Sequence, residues 1–332
     1  MYNYINYFLK RGDEVTVITS KIDKSVRLSS DVDVKKIDLS IWPRIIRPIL
    51  FDRAVVRILQ NGSFDFDLGL ERVSSSYLIA PNTHAGYIEK QNKKWRSLSD
   101  LIQLYMDKRS FANAHRIFAC SDMVKDEIKR LYAIEDRKIV TLHPPVDTNR
   151  FKPDPEPKSD LRERLNLPID KKLFLFVSTS HKRKGLDILK NVFSKLPEDH
   201  ILLVAGSKIK DGINIQGLSY VKNIEDFYKA VDYTLHPAIY EPFGQIISES
   251  IACGTPVIIS DRVGAKEIVH KGNGVVVDSL RSADWEEAIL SAPIHRFKSE
   301  EFRKELSLDA HMEKMMSYHH IANVSVLNSD VK

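Results

Sequence analysis

The chain has 332 residues, 43% of them hydrophobic and 29% charged, which allows two domains with their own cores and excludes general disorder. Two distant cysteines, Cys120 and Cys253, exclude a disulfide framework and a zinc site and favour a cytoplasmic location. No apolar run approaches the roughly 20 residues of a bilayer span, and residues 1–150 hold the positive excess, with 25 Lys and Arg against 19 Asp and Glu.

The first half alternates short strand patterns with helical patterns, beginning with a helix over Tyr2–Lys10. Strands are predicted at Glu14–Thr19, Val34–Ile37, Leu68–Leu70, Ile117–Cys120 and Lys138–Leu142. A Rossmann-like domain opens with a buried strand and a glycine-rich turn, whereas this sequence opens inside a helix. We therefore predict an N-terminal Rossmann-like domain over residues 1–150 that lacks its first strand.

The second half shows the same alternation of strand and helical patterns more clearly. Prolines among charged residues mark a connector over residues 151–172. Strands are predicted at Leu173–Ser178, Ile201–Ala205, Tyr233–His236, Val257–Ser260 and Val275–Val277. Helices are predicted at Leu186–Leu196, Ile224–Val231, Phe243–Ala252, Ala265–His270 and Asp284–Leu290. This alternation predicts a second Rossmann-like domain over residues 173–310. We also predict that residues 311–332 form a helical tail that packs back on the first domain.

The most informative segment follows the predicted strand Tyr233–His236 and runs from His236 to Glu249 as HPAIYEPFGQIISE. Ligands of open α/β sheets bind at the carboxyl ends of strands, and the helix that starts near Gly244 favours a phosphate at its N-terminus. Glu249 lies among apolar residues and needs a partner. For a lone glutamate, a nearby lysine or backbone amide is the simpler account. Glu241 in the preceding loop favours two acceptors aimed at the hydroxyl groups of one ligand.

A basic loop, Thr179–Gly185, follows the predicted strand Leu173–Ser178. At that strand end, Arg183 and Lys184 would point into the same crevice, where arginine binds a diphosphate bidentately and lysine adds a compact charge. A solvated basic loop is the alternative for this run taken alone. Its combination with the two glutamates favours the binding role.

These segments together resemble the donor domain of the family-4 retaining glycosyltransferases, which have the two-Rossmann GT-B architecture. The two glutamates separated by seven residues match Glu241 and Glu249, a basic pair before glycine matches Arg183-Lys184-Gly185, and a later glycine-rich turn matches Val263–Glu267. The similarity extends over residues 115–280, and the chain most resembles the lipopolysaccharide-core glucosyltransferases. It implies an α/β fold of two Rossmann-like domains that face a cleft.

The resemblance also implies roles for individual residues. Arg183 and Lys184 would hold the donor diphosphate, Glu249 would accept hydrogen bonds from the ribose, and Glu241 would contact the donor sugar. The expected catalytic residues are Arg183, Lys184, Glu241 and His84. The backbone amides of Phe243 and Gly244 would support the sugar or a phosphate.

One candidate comes from the first half: His84, within Asn82–Gly86, would contact the sugar or the acceptor, because such families place a histidine there. A loop histidine bonded to the backbone is an equally good interpretation. The triplets Asp31–Asp33 and Asp65–Asp67 resemble a metal-binding motif of another transferase fold, but we interpret both as solvated turns. The expected reaction is a metal-independent, retaining hexosyl transfer, with a UDP-sugar as substrate and no cofactor.

The acceptor is expected to be a lipopolysaccharide core, a lipid-linked molecule or another glycan. Trp42–Leu50 and Lys93–Arg96 mix cations with apolar side chains, which is typical of segments that touch an anionic membrane surface. Inward packing of Trp42 or Trp95 is the alternative. We therefore predict weak peripheral attachment to the inner face of the plasma membrane.

Other functions compete with this prediction. A truncated or inactive relative would bind nucleotide, or a partner, without turnover. A dinucleotide dehydrogenase is poorly supported, because no G-x-G-x-x-G follows a predicted strand. Nucleic acid is not an expected partner, because no segment resembles a groove-reading module.

Overall fold

A computed structural model describes the following residues of the chain: 2–23, 27–91, 95–293 and 297–327. The chain divides into two compact units. The first contains Met1–His143 and Leu308–Lys332, and the second contains Pro144–Ser307.

The first unit contains two parallel sheets. Two strands form the smaller sheet: β1 (Val15–Thr19) and β2 (Val32–Lys36). Four strands form the larger sheet, in this order: β3 (Leu68–Leu70), β4 (Tyr77–Ala80), β5 (Arg116–Ala119) and β6 (Ile139–Thr141). The two middle strands of the larger sheet are almost wholly buried, which is usual for parallel strands covered on both faces.

The helices that connect or precede these strands in the described part of the unit are α1 (Tyr2–Arg11), α2 (Arg47–Asn61), α3 (His84–Lys90), α4 (Leu98–Asn113) and α5 (Asp122–Tyr132). Three of these helices, α3, α4 and α5, have a hydroxyl side chain as their N-terminal cap. Thr83, Ser97 and Ser121 each accept a hydrogen bond from a backbone amide of the first turn of α3, α4 or α5. In α4 the cap is a complete capping box, because Asp100 bonds back to the amide of Ser97.

The second unit contains one parallel sheet of six strands: β7 (Lys172–Ser178), β8 (His200–Gly206), β9 (Ile215–Ser219), β10 (Tyr233–His236), β11 (Val257–Ser260) and β12 (Gly274–Val277). Their order in the sheet is β12-β11-β10-β7-β8-β9. Side chains alternate along β7: Phe174 and Phe176 pack in one apolar cluster, and Leu173 and Leu175 pack in another. A core on each face of the sheet explains why this strand is apolar throughout.

The remaining helices are α6 (Lys158–Arg164), α7 (His181–Lys184), α8 (Leu186–Phe193), α9 (Ile224–Ala230), α10 (Gln245–Ala252), α11 (Ser282–Ser291), α12 (Glu300–Glu305) and α13 (Leu308–Leu327). Two short 3-10 helices cover Asp136–Lys138 and Gly264–Ile268. The last helix, α13, belongs to the first unit. There, His311 hydrogen-bonds Tyr4 at 3.0 Å, and Met312 and Met315 are fully buried in the same core as Phe118.

The predicted strands and helices of the second half correspond to observed elements, with one correction. Residues 265–270 are predicted as an α-helix, but residues 265–268 lie in a 3-10 helix, Gly264–Ile268, and Val269 and His270 lie beyond its end. The amides of Gly264 and Ala265 donate to carbonyls of a neighbouring loop instead of to a helical turn. Two strands were not predicted. Strand β9 has the sequence IQGLS, in which Gln and Gly break the apolar run, and β4 has only four residues after three serines. The predicted connector, residues 151–172, contains α6.

Within the residues that the structure describes, no helix combines the length and the apolar character required to cross a membrane.

Candidate functional site

The basic loop and the glutamate loop meet because their strands are neighbours. Strand β10 pairs with β7 in the centre of the sheet, and both run parallel, so their carboxyl ends lie at one edge. Two hydrogen bonds join the loops that follow: Arg183 Nη1 donates to the carbonyl of Tyr240 at 2.7 Å, and the amide of Ile239 donates to the carbonyl of Arg183 at 3.0 Å. The two predicted segments therefore form one structure at this sheet edge.

Glu241 is the centre of a group of three nitrogen-bearing side chains. Its Oε2 lies 3.2 Å from Arg183 Nη1, 3.8 Å from Lys184 Nζ and 3.5 Å from His236 Nε2. Burial acts to raise the pKa of Glu241, but His236, Lys184 and Arg183 outweigh it and lower the pKa to about 2. Glu241 is therefore ionised at neutral pH, and it holds both cations at the sheet edge.

His236 is a site residue to which the sequence analysis assigned no role. It ends β10, it is completely buried, and burial lowers its pKa, so the ring is neutral at pH 7. The signal was present in the sequence, because a histidine that ends an apolar strand just before a ligand loop faces the same edge as the loop.

Glu249 is the fifth residue of α10, and its partner is neither the lysine nor the backbone amide of the alternative interpretation. The hydroxyl of Tyr228, a fully buried residue of α9, donates to Glu249 Oε2 at 2.9 Å. Burial raises the pKa of Glu249, and the hydrogen bond from Tyr228 and the charges of Arg150 and Lys184 act against that rise. Lys184 thus influences both glutamates, whereas burial lowers its own pKa.

The turn between the glutamates is held from outside by the predicted glycine-rich turn. The amide of Gly264 donates to the carbonyl of Glu241 at 2.9 Å, and the amide of Ala265 donates to the carbonyl of Phe243 at 2.8 Å. Phe243 is buried, and Gly244 takes a left-handed conformation with φ of 97° immediately before α10. This conformation costs a side-chain-bearing residue about 1 kcal/mol or more, so glycine suits the position.

His84 belongs to the first unit. It is the first residue of α3, and its side chain is buried. Its Nε2 lies 3.0 Å from Asp100 Oδ1, and its amide donates to Asp107 Oδ2 at 2.7 Å. The side chain of His84 therefore contacts the carboxylate of Asp100. The sequence predicts a contact with substrate or a hydrogen bond to the backbone, and does not indicate this carboxylate.

Comparison with known proteins identifies the family. Residues 157–307 match the model described as glycosyl transferases group 1, and residues 78–150 match that of glycosyltransferase family 4. A probable transglycosylase of Burkholderia thailandensis is 33% identical over 261 residues, which cover 78% of this chain and 72% of that protein. The chain belongs to the family-4 glycosyltransferases. The predicted family is thus confirmed, and with it the predicted class of activity, transfer of a sugar from a nucleotide-sugar donor.

Solved structures show the fold of this glycosyltransferase. WaaG, a glycosyltransferase involved in lipopolysaccharide biosynthesis, matches with a TM-score of 0.70 at 18% identity, covering 97% of this chain and 90% of that chain. Anabaena HepE in complex with UDP and glucose matches with a TM-score of 0.54 at 16% identity, covering 90% and 85%. Similarity at such low identity shows the fold alone. The predicted α/β fold of GT-B type is confirmed.

The glycosyltransferase also exposes an apolar stripe on α4, which we call the α4 stripe. Its exposed fractions are 62% for Leu98, 50% for Leu101 and 50% for Tyr105, and Trp95 just before the helix is 87% exposed. The spacing of three and four residues places Leu98, Leu101 and Tyr105 on one helix face. Because Trp95 is almost fully exposed, the alternative that it packs inward is wrong. Trp42 is 45% exposed, whereas Lys93 and Lys94 lie outside the described residues.

Proposed function

We propose that the second unit binds a UDP-sugar at the sheet edge formed by β7 and β10, and that the protein is a retaining hexosyltransferase. Arg183, Lys184, Glu241 and Glu249 carry this proposal, because Lys184 acts electrostatically on both glutamates and Arg183 bonds one of them. UDP is preferred because a protein of the same fold, Anabaena HepE, has been solved with UDP and glucose.

The two cations take the donor diphosphate. Without donor, Arg183 and Lys184 share Glu241, and both side chains remain partly exposed, so an incoming phosphate oxygen reaches them without unfolding the loop. As the bond between the anomeric carbon and the diphosphate breaks, negative charge grows on the leaving oxygen. Fixed cations in a partly buried site stabilise that charge, and this requires no metal.

The glutamates bind hydroxyl groups. Tyr228 occupies Glu249 Oε2, which leaves Oε1 to accept hydrogen bonds from the ribose. Glu241 contacts the donor sugar. In a retaining transfer the acceptor hydroxyl attacks on the face that the diphosphate leaves, its oxygen bonds the anomeric carbon, and its proton passes to the departing phosphate. The amides of Phe243 and Gly244 support the sugar or a phosphate, and His84 contacts the sugar or the acceptor.

Nucleotide binding and turnover test this function separately. UDP at 100 times its Kd is expected to stabilise the protein by about 2.7 kcal/mol and raise its melting temperature by several degrees, with ADP as the comparison nucleotide. Hydrolysis of UDP-glucose or another UDP-sugar is then measured by release of UDP. Binding without turnover would support an inactive relative, and the absence of any shift with UDP would contradict the donor site.

The acceptor is a lipid-linked or lipopolysaccharide-core glycan at the inner face of the plasma membrane, and the α4 stripe docks there. Apolar side chains at half exposure or more would enter the interface, and the positive excess of residues 1–150 would attract anionic lipid. Docking of this kind is weak and reversible, which suits an enzyme that draws its donor from solution.

Replacement of Leu98 and Leu101 by serine is expected to weaken binding to vesicles of phosphatidylglycerol and phosphatidylethanolamine. Loss of about 1 kcal/mol for each side chain predicts about 30-fold weaker binding in a flotation assay. The matched control replaces Ile213 and Leu290, exposed apolar residues of the second unit, by serine. Equal binding of both double variants would contradict docking through the α4 stripe.

A further inference from the structure

We infer that Tyr228 is a positioning residue for Glu249: its hydroxyl fixes one carboxylate oxygen, so that the other is presented to the ribose of the donor. The inference rests on the proposed function, because it assigns ribose binding to Glu249. It concerns a residue that does not itself touch the donor.

The ring of Tyr228 is held on several sides. It is completely buried, and the ring of Phe151 packs edge-on at 6.1 Å between centroids. The hydroxyl of Thr255, just beyond the end of α10, donates to the backbone carbonyl of Tyr228 at 2.6 Å. Tyr228 thus bonds the segment after α10 through its backbone and bonds Glu249 within α10 through its hydroxyl. A phenol fixed in this way sets the orientation of the carboxylate that it bonds.

The hydrogen bond also acts on the charge of the carboxylate. Glu249 faces four groups that alter its titration: Tyr228 and Glu225 of α9, Arg150 before α6 and Lys184 of α7. Burial raises the pKa of Glu249, and the Tyr228 hydroxyl is the largest of the influences that lower it. The phenol remains a donor at neutral pH because burial raises its own pKa well above 10.0. Loss of the hydroxyl would therefore raise the pKa of Glu249 further.

The direction of the pH dependence follows from this. Glu249 accepts two hydrogen bonds best when ionised, so UDP affinity falls as the pH drops through the pKa of Glu249. In Tyr228→Phe that pKa is higher, and the loss of affinity begins at a higher pH. We expect Tyr228→Phe to bind UDP about tenfold more weakly than the wild type at neutral pH, because the carboxylate is no longer oriented, and we expect the difference to grow as the pH falls.

Calorimetric titration with UDP from pH 6 to pH 9 tests this, using the full chain. Glu249→Gln removes the titrating group. The double variant with Tyr228→Phe should therefore have the same pH profile as Glu249→Gln alone. The ionisation of UDP itself affects all variants equally. Tyr233→Phe is the control for a lost buried hydroxyl, because Tyr233 is almost fully buried and donates to the carbonyl of Pro293 at 2.7 Å. Affinity is measured on the folded fraction, so a modest loss of stability does not obscure the result.

The outcomes are distinguishable. Weaker binding by Glu249→Gln together with a wild-type pH profile for Tyr228→Phe would overturn the role of Tyr228 and leave the donor site in place. A wild-type protein that binds no UDP at any pH would overturn both the donor site and this inference. A profile displaced to higher pH in Tyr228→Phe, and in neither Tyr233→Phe nor the double variant, would support it.

Discussion

Replacement of Lys184 by alanine is expected to lower kcat/KM for sugar transfer by about 100-fold or more. Groups that stabilise a developing oxyanion in a partly buried site contribute about 100-fold to 1000-fold each. Lys184 is such a group under the proposed function, since it lies 3.8 Å from Glu241 Oε2 and has a largely buried side chain. Arg183 and His236 remain beside Glu241 in this variant, so the loop that carries Glu241 should keep its conformation.

The same helix provides the control for this variant. Lys182 is exposed on α7, two residues before Lys184 along the chain, and its replacement by alanine removes the same formal charge. Initial rates with a UDP-sugar are compared for the wild type, Lys182→Ala and Lys184→Ala, together with their melting temperatures. A similar loss in both variants would indicate a general effect of positive charge, and retained activity in Lys184→Ala would contradict its assignment to the diphosphate.

The location of the two loops at the same edge of the sheet could be predicted from sequence. Strands β7 and β10 are parallel and apolar, and polar residues follow each of them, so the carboxyl-end rule for open sheets places both loops at one edge. The rule does not say which strands are neighbours. Two strands lie between β7 and β10 in the chain, and the order in the sheet depends on how the connecting helices cross.

The hydrogen-bond partner of Glu249 could not be predicted in the same way, because it depends on how two helices pack. The need of Glu249 for a partner follows from its apolar surroundings, but Tyr228 lies 21 residues earlier in the chain, on another helix. Its hydroxyl reaches Glu249 only because α9 and α10 pack side by side with a particular rotation about their axes. No local pattern encodes that rotation.

The exposure of the apolar side chains of the α4 stripe could not be predicted from the sequence, for a related reason. Helix α4 is apolar on the side that faces solvent, while Asp100 and Asp107 point inward to His84 and its amide. A periodicity argument assigns the apolar face to the core and the acidic face to solvent. Part of α4 follows that argument, because Met106 and Phe111 are buried. The α4 stripe does not follow it, and the buried carboxylates of Asp100 and Asp107 bond the start of α3.

Replacement of Gly185 by alanine is expected to damage both stability and nucleotide binding. Gly185 ends α7 with φ of 83°, and a Cβ atom there would lie 2.1 Å from the carbonyl oxygen of Pro237. The left-handed conformation costs alanine about 1 kcal/mol, and moving a buried backbone away from the new methyl group costs about 2 kcal/mol more. A total of about 3 kcal/mol predicts a fall in melting temperature of about 6 °C or more.

The same displacement should weaken UDP binding in protein that is still folded. The close approach of Gly185 to Pro237 lets the loop after β7 lie against the loop after β10, so separating them lengthens the bonds from Arg183 to Tyr240 and Glu241. Gly212→Ala is the control, because a Cβ there would meet nothing nearer than 3.9 Å. Calorimetry well below the melting temperature separates the two effects. If Gly185→Ala unfolded early but bound UDP normally when folded, the spacing of the two loops would matter for stability alone.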